Sequence, residues 1–455
     1  MTTGTVHRYR PPVPVARCGA PTTPAHPSGR TTLRRPATVT VLVATALLVA
    51  ACSASGGSTS GPTTTAPLAP GSHWSGVFTP VDVPAPVNGL TAVSCASATV
   101  CWAVGATAGA GGGANAAAII TTNDGGATWT AQTVPSSVGS LSGVACSDRL
   151  TCVAVGQAAE PPSGAGAIVT TTDGGATWIT EPVPTTALAV TAVTCLPSGR
   201  CTAMATTASG TTALVATAPF ASWSTAGPLP PGVSDADSVD CIDTSNCWAT
   251  GESPSTAGHV TGTVLGSTDG GATWVTLPVP TGAGQLDGVS CVQGPVDQAG
   301  QPPSSSTTAA ATGAAPATTT TSTSAVPTPG VAGVRCAVVG TTEPVADDTR
   351  SGAGVIDTTD NGGATWTTEP TPPSVAALFG VSCPALGACV AVGTTVASVP
   401  AAGAVIATGD PDDPWSRPGT VRFPQSLDAV SCVSESACVA VGEALIAHLG
   451  VGGAA

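Results

Sequence analysis

The sequence predicts an all-β protein, a seven-bladed β-propeller with one disulfide in each blade and a last blade closed by the N-terminal strand. Three observations lead there. Fourteen cysteines fall into seven pairs that recur about every 50 residues once an insertion inside the fifth is set aside. A Gly-Gly-Ala-Thr-Trp turn recurs in step with four of them. The seventh repeat lacks the outer strand of the others, while a spare strand precedes the first. A fixed period of this length, with strand-like patterning, marks a repeat architecture.

The elements follow in chain order. Six Arg (Arg8, Arg10, Arg17, Arg30, Arg34, Arg35) lie before residue 36, and no acid precedes Asp82. An apolar run of 15 residues follows, 37–51. A basic flank and a short apolar run predict a secretory signal over 1–51. The run is shorter than the ~20 residues that span a bilayer. It ends Val49-Ala50-Ala51-Cys52, then Ser-Ala-Ser-Gly-Gly-Ser. This resembles a bacterial lipobox. The resemblance implies lipidation of Cys52, attachment to the membrane through that lipid, and residence at the cell membrane on the extracytoplasmic face. The alternative is an ordinary signal peptide with Cys52 incidental. Residues 52–71 are small and polar, and read as a flexible tether. The propeller is expected over 72–449, with 450–455 as a tail.

Each repeat has the same parts. Six cysteine pairs are six residues apart: Cys95 and Cys101, Cys146 and Cys152, Cys195 and Cys201, Cys241 and Cys247, Cys383 and Cys389, Cys432 and Cys438. The seventh, Cys291 and Cys336, is split by an insertion. A Val stands two before every first Cys, and a Leu five before it in five copies. A short β-prone run follows the second Cys and ends in Gly, except at Ala205. Each pair thus joins two strands across a tight turn, and exported pairs at hairpin distance read as disulfides. No His gathers near them and the spacing does not suit zinc, so no metal is expected.

A third strand leads to the most specific motif, Asp124-Gly-Gly-Ala-Thr-Trp129, repeated at Asp173 to Trp178, at Asp269 to Trp274 and, with Asn, at Asn361 to Trp366. Asp410 to Trp415 keeps only the ends, and Ala218 to Trp223 only the Trp. The motif resembles the Asp-box, or BNR repeat, of sialidase-like and photosystem II assembly-factor-like propellers. The chemistry suits a turn: Asp can cap nearby N–H groups, Gly allows a left-handed backbone, and Trp anchors packing between blades. No such Trp follows the seventh repeat, yet Trp74 precedes the first. This assigns residues 73–83 as the outer strand of the last blade, with Trp74 as the ring-closing residue. Closure removes free sheet edges.

Composition limits the function. The chain has 12 Arg and no Lys, so no P-loop or Schiff-base lysine exists. Beyond residue 51 there are six Arg against 26 acids, a net of −20, which argues against a nucleic-acid partner. The only Tyr is Tyr9, in the leader. The sialidase resemblance implies a Tyr nucleophile and an Arg triad; Tyr is missing and the six Arg, from Arg149 to Arg422, are scattered. No cofactor and no catalytic residue is assigned. A binding surface is expected on the loop face opposite the disulfide turns, around 106–117, 157–166, 341–353 and 394–403, where Glu160, Glu343, Asp347, Asp348 and Arg350 stand out. Asp235, Asp237 and Asp240, with Asp243 nearby, form an acidic stretch that could hold Ca²⁺ or be solvated. His73 and His448 are expected on adjacent strands in a structural role, and His259 is unassigned. Residues 293–334, almost all small and polar, read as a disordered insertion and a candidate for O-glycosylation. The expected function is a monomeric surface lipoprotein that binds a protein or glycan without catalysis. The alternative is a carbohydrate-active enzyme of a non-sialidase kind, working through paired carboxylates.

Overall fold

The computed structural model describes residues 77–107, 116–159, 165–220, 222–254, 260–279, 282–294, 331, 333–342, 352–396, 402–408, 415, 421–423, 425–443 and 445–450. Cys52, His73, Trp74, Glu160, His259, Glu343, Asp347, Asp348, Arg350, Asp410 and most of 293–334 lie outside them.

Seven four-stranded antiparallel sheets form the blades of a β-propeller. In blades 1 to 6 the strands follow the chain from the inner strand outward. Blade 1, for example, runs Val87–Cys95, Cys101–Thr107, Ala116–Thr122 and Thr130–Ala131. Blade 7 takes Leu427–Ser434, Ala437–Gly442 and Leu445–Gly450 from the end of the chain, and its outer strand is Val77–Asp82. That strand pairs from Val77↔Gly450 to Asp82↔Leu445, so the ring is closed by the N-terminal strand.

Burial explains the sequence pattern of each strand. The second strand is covered on both faces by neighbouring blades, so a continuous run such as Cys152 to Gly156 is buried. Inner strands, broken by bulges, mix buried and exposed residues, with one side toward the axis. The core is split into seven clusters, one at each blade–blade interface. The Trp of each recurring turn enters the cluster shared with the preceding blade. Trp129 joins Val439, Val441 and Ile446 of blade 7, and Trp178 joins Trp102 and Ile119 of blade 1. At the interface of blades 6 and 7 the place is filled by Phe78, 4% exposed. Phe78 stands six residues before Pro84, as Trp129 stands before Pro135 and Trp178 before Pro184. Trp74 stands ten before it. By spacing, then, Phe78 is the counterpart of the blade tryptophans.

All seven cysteine pairs are disulfides between the inner and second strands, with Cα–Cα distances of 4.0–4.1 Å. Around Cys291–Cys336 the ladder continues outward through Val292↔Arg335 and Gln293↔Val334. The two ends of the insertion are therefore strand residues.

The recurring glycine of the second strand faces a bulge in the inner strand. Register shifts at 138/140 and 141/143 push the Ser140 carbonyl against Gly156, where a Cβ would overlap it. Gly105, Gly251, Gly340, Gly393 and Gly442 meet the same obstacle. Blade 3 has comparable shifts and carries Ala205 there, fully buried.

Candidate functional site

The inner strands line a channel along the ring axis, with a cavity of about 170 Å³. One residue from each blade, four before the first cysteine, lies on it: Thr91, Ser142, Thr191, Asp237, Asp287, Phe379 and Asp428. In blades 1 to 3 the hydroxyl joins neighbouring blades. Thr91 Oγ1 donates to Leu141 O at 3.0 Å, Ser142 Oγ to Val190 O at 2.8 Å, and Thr191 Oγ1 to Ala236 O at 2.7 Å. Blades 4, 5 and 7 place a carboxyl where that donor stands. An ionised carboxylate accepts only, whereas a neutral acid can donate.

The environment favours the neutral acid. Burial, with repulsion from Asp235, Asp287 and Glu252, pushes the Asp237 carboxyl up to about 8. Burial and Glu252 raise Asp287 to about 7, against a hydrogen bond from Gln285 Nε2 at 2.8 Å. Burial and Glu443 raise Asp428 to about 6. Asp237 Oδ2 is buried without a hydrogen-bond partner. Glu252 and Glu443 occupy equivalent places, each following the recurring glycine of the second strand. The acids thus gather on blades 4 and 5, with a smaller group on blade 7.

A second ring lies one residue before the first cysteine. There Ser94, Ser290, Ser382, Ser431 and Asp240 accept the N–H of the next blade's first cysteine, at 2.7–3.1 Å. Asp240 also accepts from Thr194, and its burial raises its pKa against these donors.

The acidic stretch therefore divides by position. Asp237 faces the channel, Asp240 ties blade 4 to blade 5, and Asp235 accepts from Ala236 N at 2.9 Å and Thr206 Oγ1 at 3.3 Å. Asp243 caps the disulfide turn through Ser245 N and Asn246 N, both at 2.7 Å. Among the described residues no group of three or more His, Cys, Asp or Glu could hold a metal ion.

The recurring turns use their acids locally. Asp124 Oδ1 accepts from Thr128 N at 2.9 Å and Thr122 Oγ1 at 2.7 Å, and Oδ2 from Thr128 Oγ1 at 2.6 Å. Against a desolvation penalty, these bonds hold the carboxyl at about 2. Thr177 and Thr171 do the same for Asp173, also at about 2. Asp269 repeats the pattern with Thr273 and Ser267, and Asn361 with Thr365 and Thr359. Both turn glycines, such as Gly125 and Gly126, have φ of 75° and 98°, in the left-handed region. Trp129 and Trp274 donate to the second of them at 3.0 Å. These side chains shape turns and face no cavity of the channel. His448 packs beneath Gly126, and burial lowers its pKa.

Sequence reading found Asp237 and missed Asp287 and Asp428. The signal was the shared offset of four residues before the first cysteine, which places all seven on one ring.

No protein-family model matches the sequence, and no curated protein matches it. Solved structures of similar fold include "YCF48 bound to D1 peptide", 12% identical with a TM-score of 0.53 over 82% of this chain and 96% of that one. A GH74 xyloglucanase from Xanthomonas campestris is 12% identical, with a TM-score of 0.52 over 82% of this chain; the match spans 54% of the xyloglucanase. Hydrazine synthase of Kuenenia stuttgartiensis is 9% identical, with a TM-score of 0.51 over 79% of this chain and 94% of that one. At these identities the likeness is one of fold.

Proposed function

We propose that this chain is an exported, lipid-anchored propeller that binds a basic segment of a protein partner at the acidic channel of blades 4 and 5, without catalysis. The observation that carries the reading is the meeting of Asp235, Asp237, Asp287 and Glu252, whose mutual repulsion is expressed in the raised pKa of Asp237. An arginine-bearing segment would relieve that repulsion. The described arginine side chains, Arg149, Arg200 and Arg335, belong instead to the disulfide-turn end of their blades. Propellers of this fold include one with a bound peptide, the YCF48 structure. Cys52 supplies the anchor in this reading, and its lipid holds the propeller at the outer side of the cell membrane.

A second reading has one observation in its favour. Asp237 and Asp287 are neighbouring carboxyls with raised pKa values, a feature of glycoside hydrolases. Two points count against it. The cavity of about 170 Å³ is below the roughly 300–1,000 Å³ usual for ligand pockets. Asp287, at about 7, is also only about half ionised at neutral pH, while the reaction needs one fully ionised partner.

The test uses the chain from residue 53 and a fluorescent peptide of alternating Arg and Gly. Binding should strengthen from pH 5.5 to 8.5 as the acids ionise, and weaken about tenfold in Asp237→Asn/Asp287→Asn. Hydrolysis of an oligosaccharide that is lost in the same variant would sink the binding reading. For the anchor, palmitate labelling of cells should vanish in Cys52→Ala; label that persists would refute it.

A further inference from the structure

We propose that blade 3 carries a second site, a groove that binds the carboxylate of an acidic peptide, from a Glu or Asp side chain or from a chain terminus. It lies at the disulfide-turn end of the blade and does not depend on the channel reading.

The groove exists because this repeat has lost its turn. Blades 1, 2, 4 and 5 close theirs with Asp or Asn and two glycines. Blade 3 has Ala218-Pro-Phe-Ala-Ser-Trp223, with neither. Phe220 and Trp223 turn inward, 0% and 6% exposed, and stack with centroids 6.3 Å apart. What remains outside is a groove of about 410 Å³, lined by Arg200, Val215, Ala216, Thr217, Pro219, Ser222 and Ser224. That volume is within the usual range for a ligand site.

The internal repeat shows why Arg200 is available. In blade 5 Arg335 holds the same place, next before the second cysteine, and its Nε pairs with Asp360 at 2.8 Å. Across the ladder from Arg200 stands Thr217 instead. Arg200 Nη2 donates to Gly270 O of blade 4 at 2.8 Å. This anchors the guanidinium without neutralising it. Asp269, beside Gly270, has its oxygens engaged by Thr273 and Ser267. Among the described residues Arg200 makes no ion pair.

The chemistry selects the ligand. A guanidinium offers parallel donors that match a carboxylate, and its charge is permanent. Thr217, Ser222 and Ser224 add hydroxyls at the rim. A phosphate, carrying more charge, would call for more than one cation. A uronic acid would want an aromatic face for its ring, and both aromatics of this turn are buried.

The experiment measures fluorescence anisotropy of labelled peptides at low salt on the chain from residue 53. One peptide carries Glu in a Gly-Ser background with an amidated end. The second has Gln in place of Glu and a free C-terminal carboxylate. The third has Gln and an amidated end. The first or second should bind, which identifies the source of the carboxylate, and the third should not. Arg200→Gln should weaken binding about tenfold or more, and Arg335→Gln should leave it unchanged. Ser222→Asp keeps Arg200 and its anchor but places an acid in the groove; it should weaken binding as much, with an unchanged melting temperature. Equal binding of all three peptides, no binding of any, or full binding by both Arg200→Gln and Ser222→Asp would overturn the proposal. Binding of an oligogalacturonate in place of the peptides would overturn the peptide assignment.

Discussion

Replacing Asp428 by Thr should make the propeller more stable at neutral pH and change little in acid. Thr is the residue at this ring position in blades 1 and 3, where Thr91 and Thr191 donate to the next blade. Asp428 is raised from an ordinary 3.8 to about 6 by burial and by Glu443. A group whose folded pKa lies above its unfolded value contributes fully below the unfolded pKa, and that contribution is lost as pH rises through the folded one. At about 1.4 kcal/mol for each pH unit, the whole effect is about 3 kcal/mol, and about 2.4 kcal/mol of it is lost between pH 4 and pH 7, because the unfolded carboxyl is already partly ionised at pH 4. Thr does not titrate there and can donate at all pH values. Urea unfolding followed by Trp fluorescence, at pH 4 and pH 7.5 with the disulfides intact, gives the comparison. The variant should gain about 2.4 kcal/mol over the wild type on going from the first pH to the second. An equal difference at both pH values would refute the neutral, donating acid.

Three further outcomes follow from other positions. Asp357 is fully buried with Oδ2 unpartnered and only Thr368 Oγ1 as donor, at 2.6 Å, and blade 2 has Val169 in its place. Asp357→Val should raise stability by about 1–3 kcal/mol, the scale of an unsatisfied buried group, seen as a higher melting temperature. Ser382→Ala leaves the Cys432 N–H without its acceptor and should cost about 1–3 kcal/mol in urea unfolding. Gly156→Ala forces a Cβ into the Ser140 carbonyl and should cost about 2 kcal/mol or more, whereas Ala205→Gly in blade 3 should cost about 1 kcal/mol or less. Equal losses at the two sites would mean that the bulge does not set the requirement.

The fold was legible because every blade repeats the same constraints. The Val two before each first Cys is buried or nearly so in all seven blades, and the cysteine spacing sets the hairpin. Closure was legible as well, because the seventh repeat lacked an outer strand. Assigning ring closure to Trp74 follows residue type, whereas the constant distance to the turn that leads into the next inner strand, where Val87 N donates to Pro84 O at 3.0 Å, marks Phe78. The channel acids were harder to read. Asp287 and Asp428 look like solvated polar residues in a half-exposed strand. Their chemistry arises only when seven distant strands converge, and no local pattern records that convergence. Arg200 is one of six scattered arginines in the sequence; its setting shows only once Thr217 is seen opposite it.

The pairing of Asp82 with Leu445 has a consequence for how the molecule is made. A chain made from its N-terminus delivers this outer strand first and its partner last, with more than 360 residues between them. Until then the strand has an open edge and Phe78 has no interface, so the first strand made is the last to be secured. Blades 1 to 6 can form as they emerge, since their pairings are local. The ring as a whole registers whether synthesis has finished, and a chain stalled before residue 445 stays open. Moving residues 77–82 behind residue 450 would make the last pairing local too, and would free closure from the order of delivery.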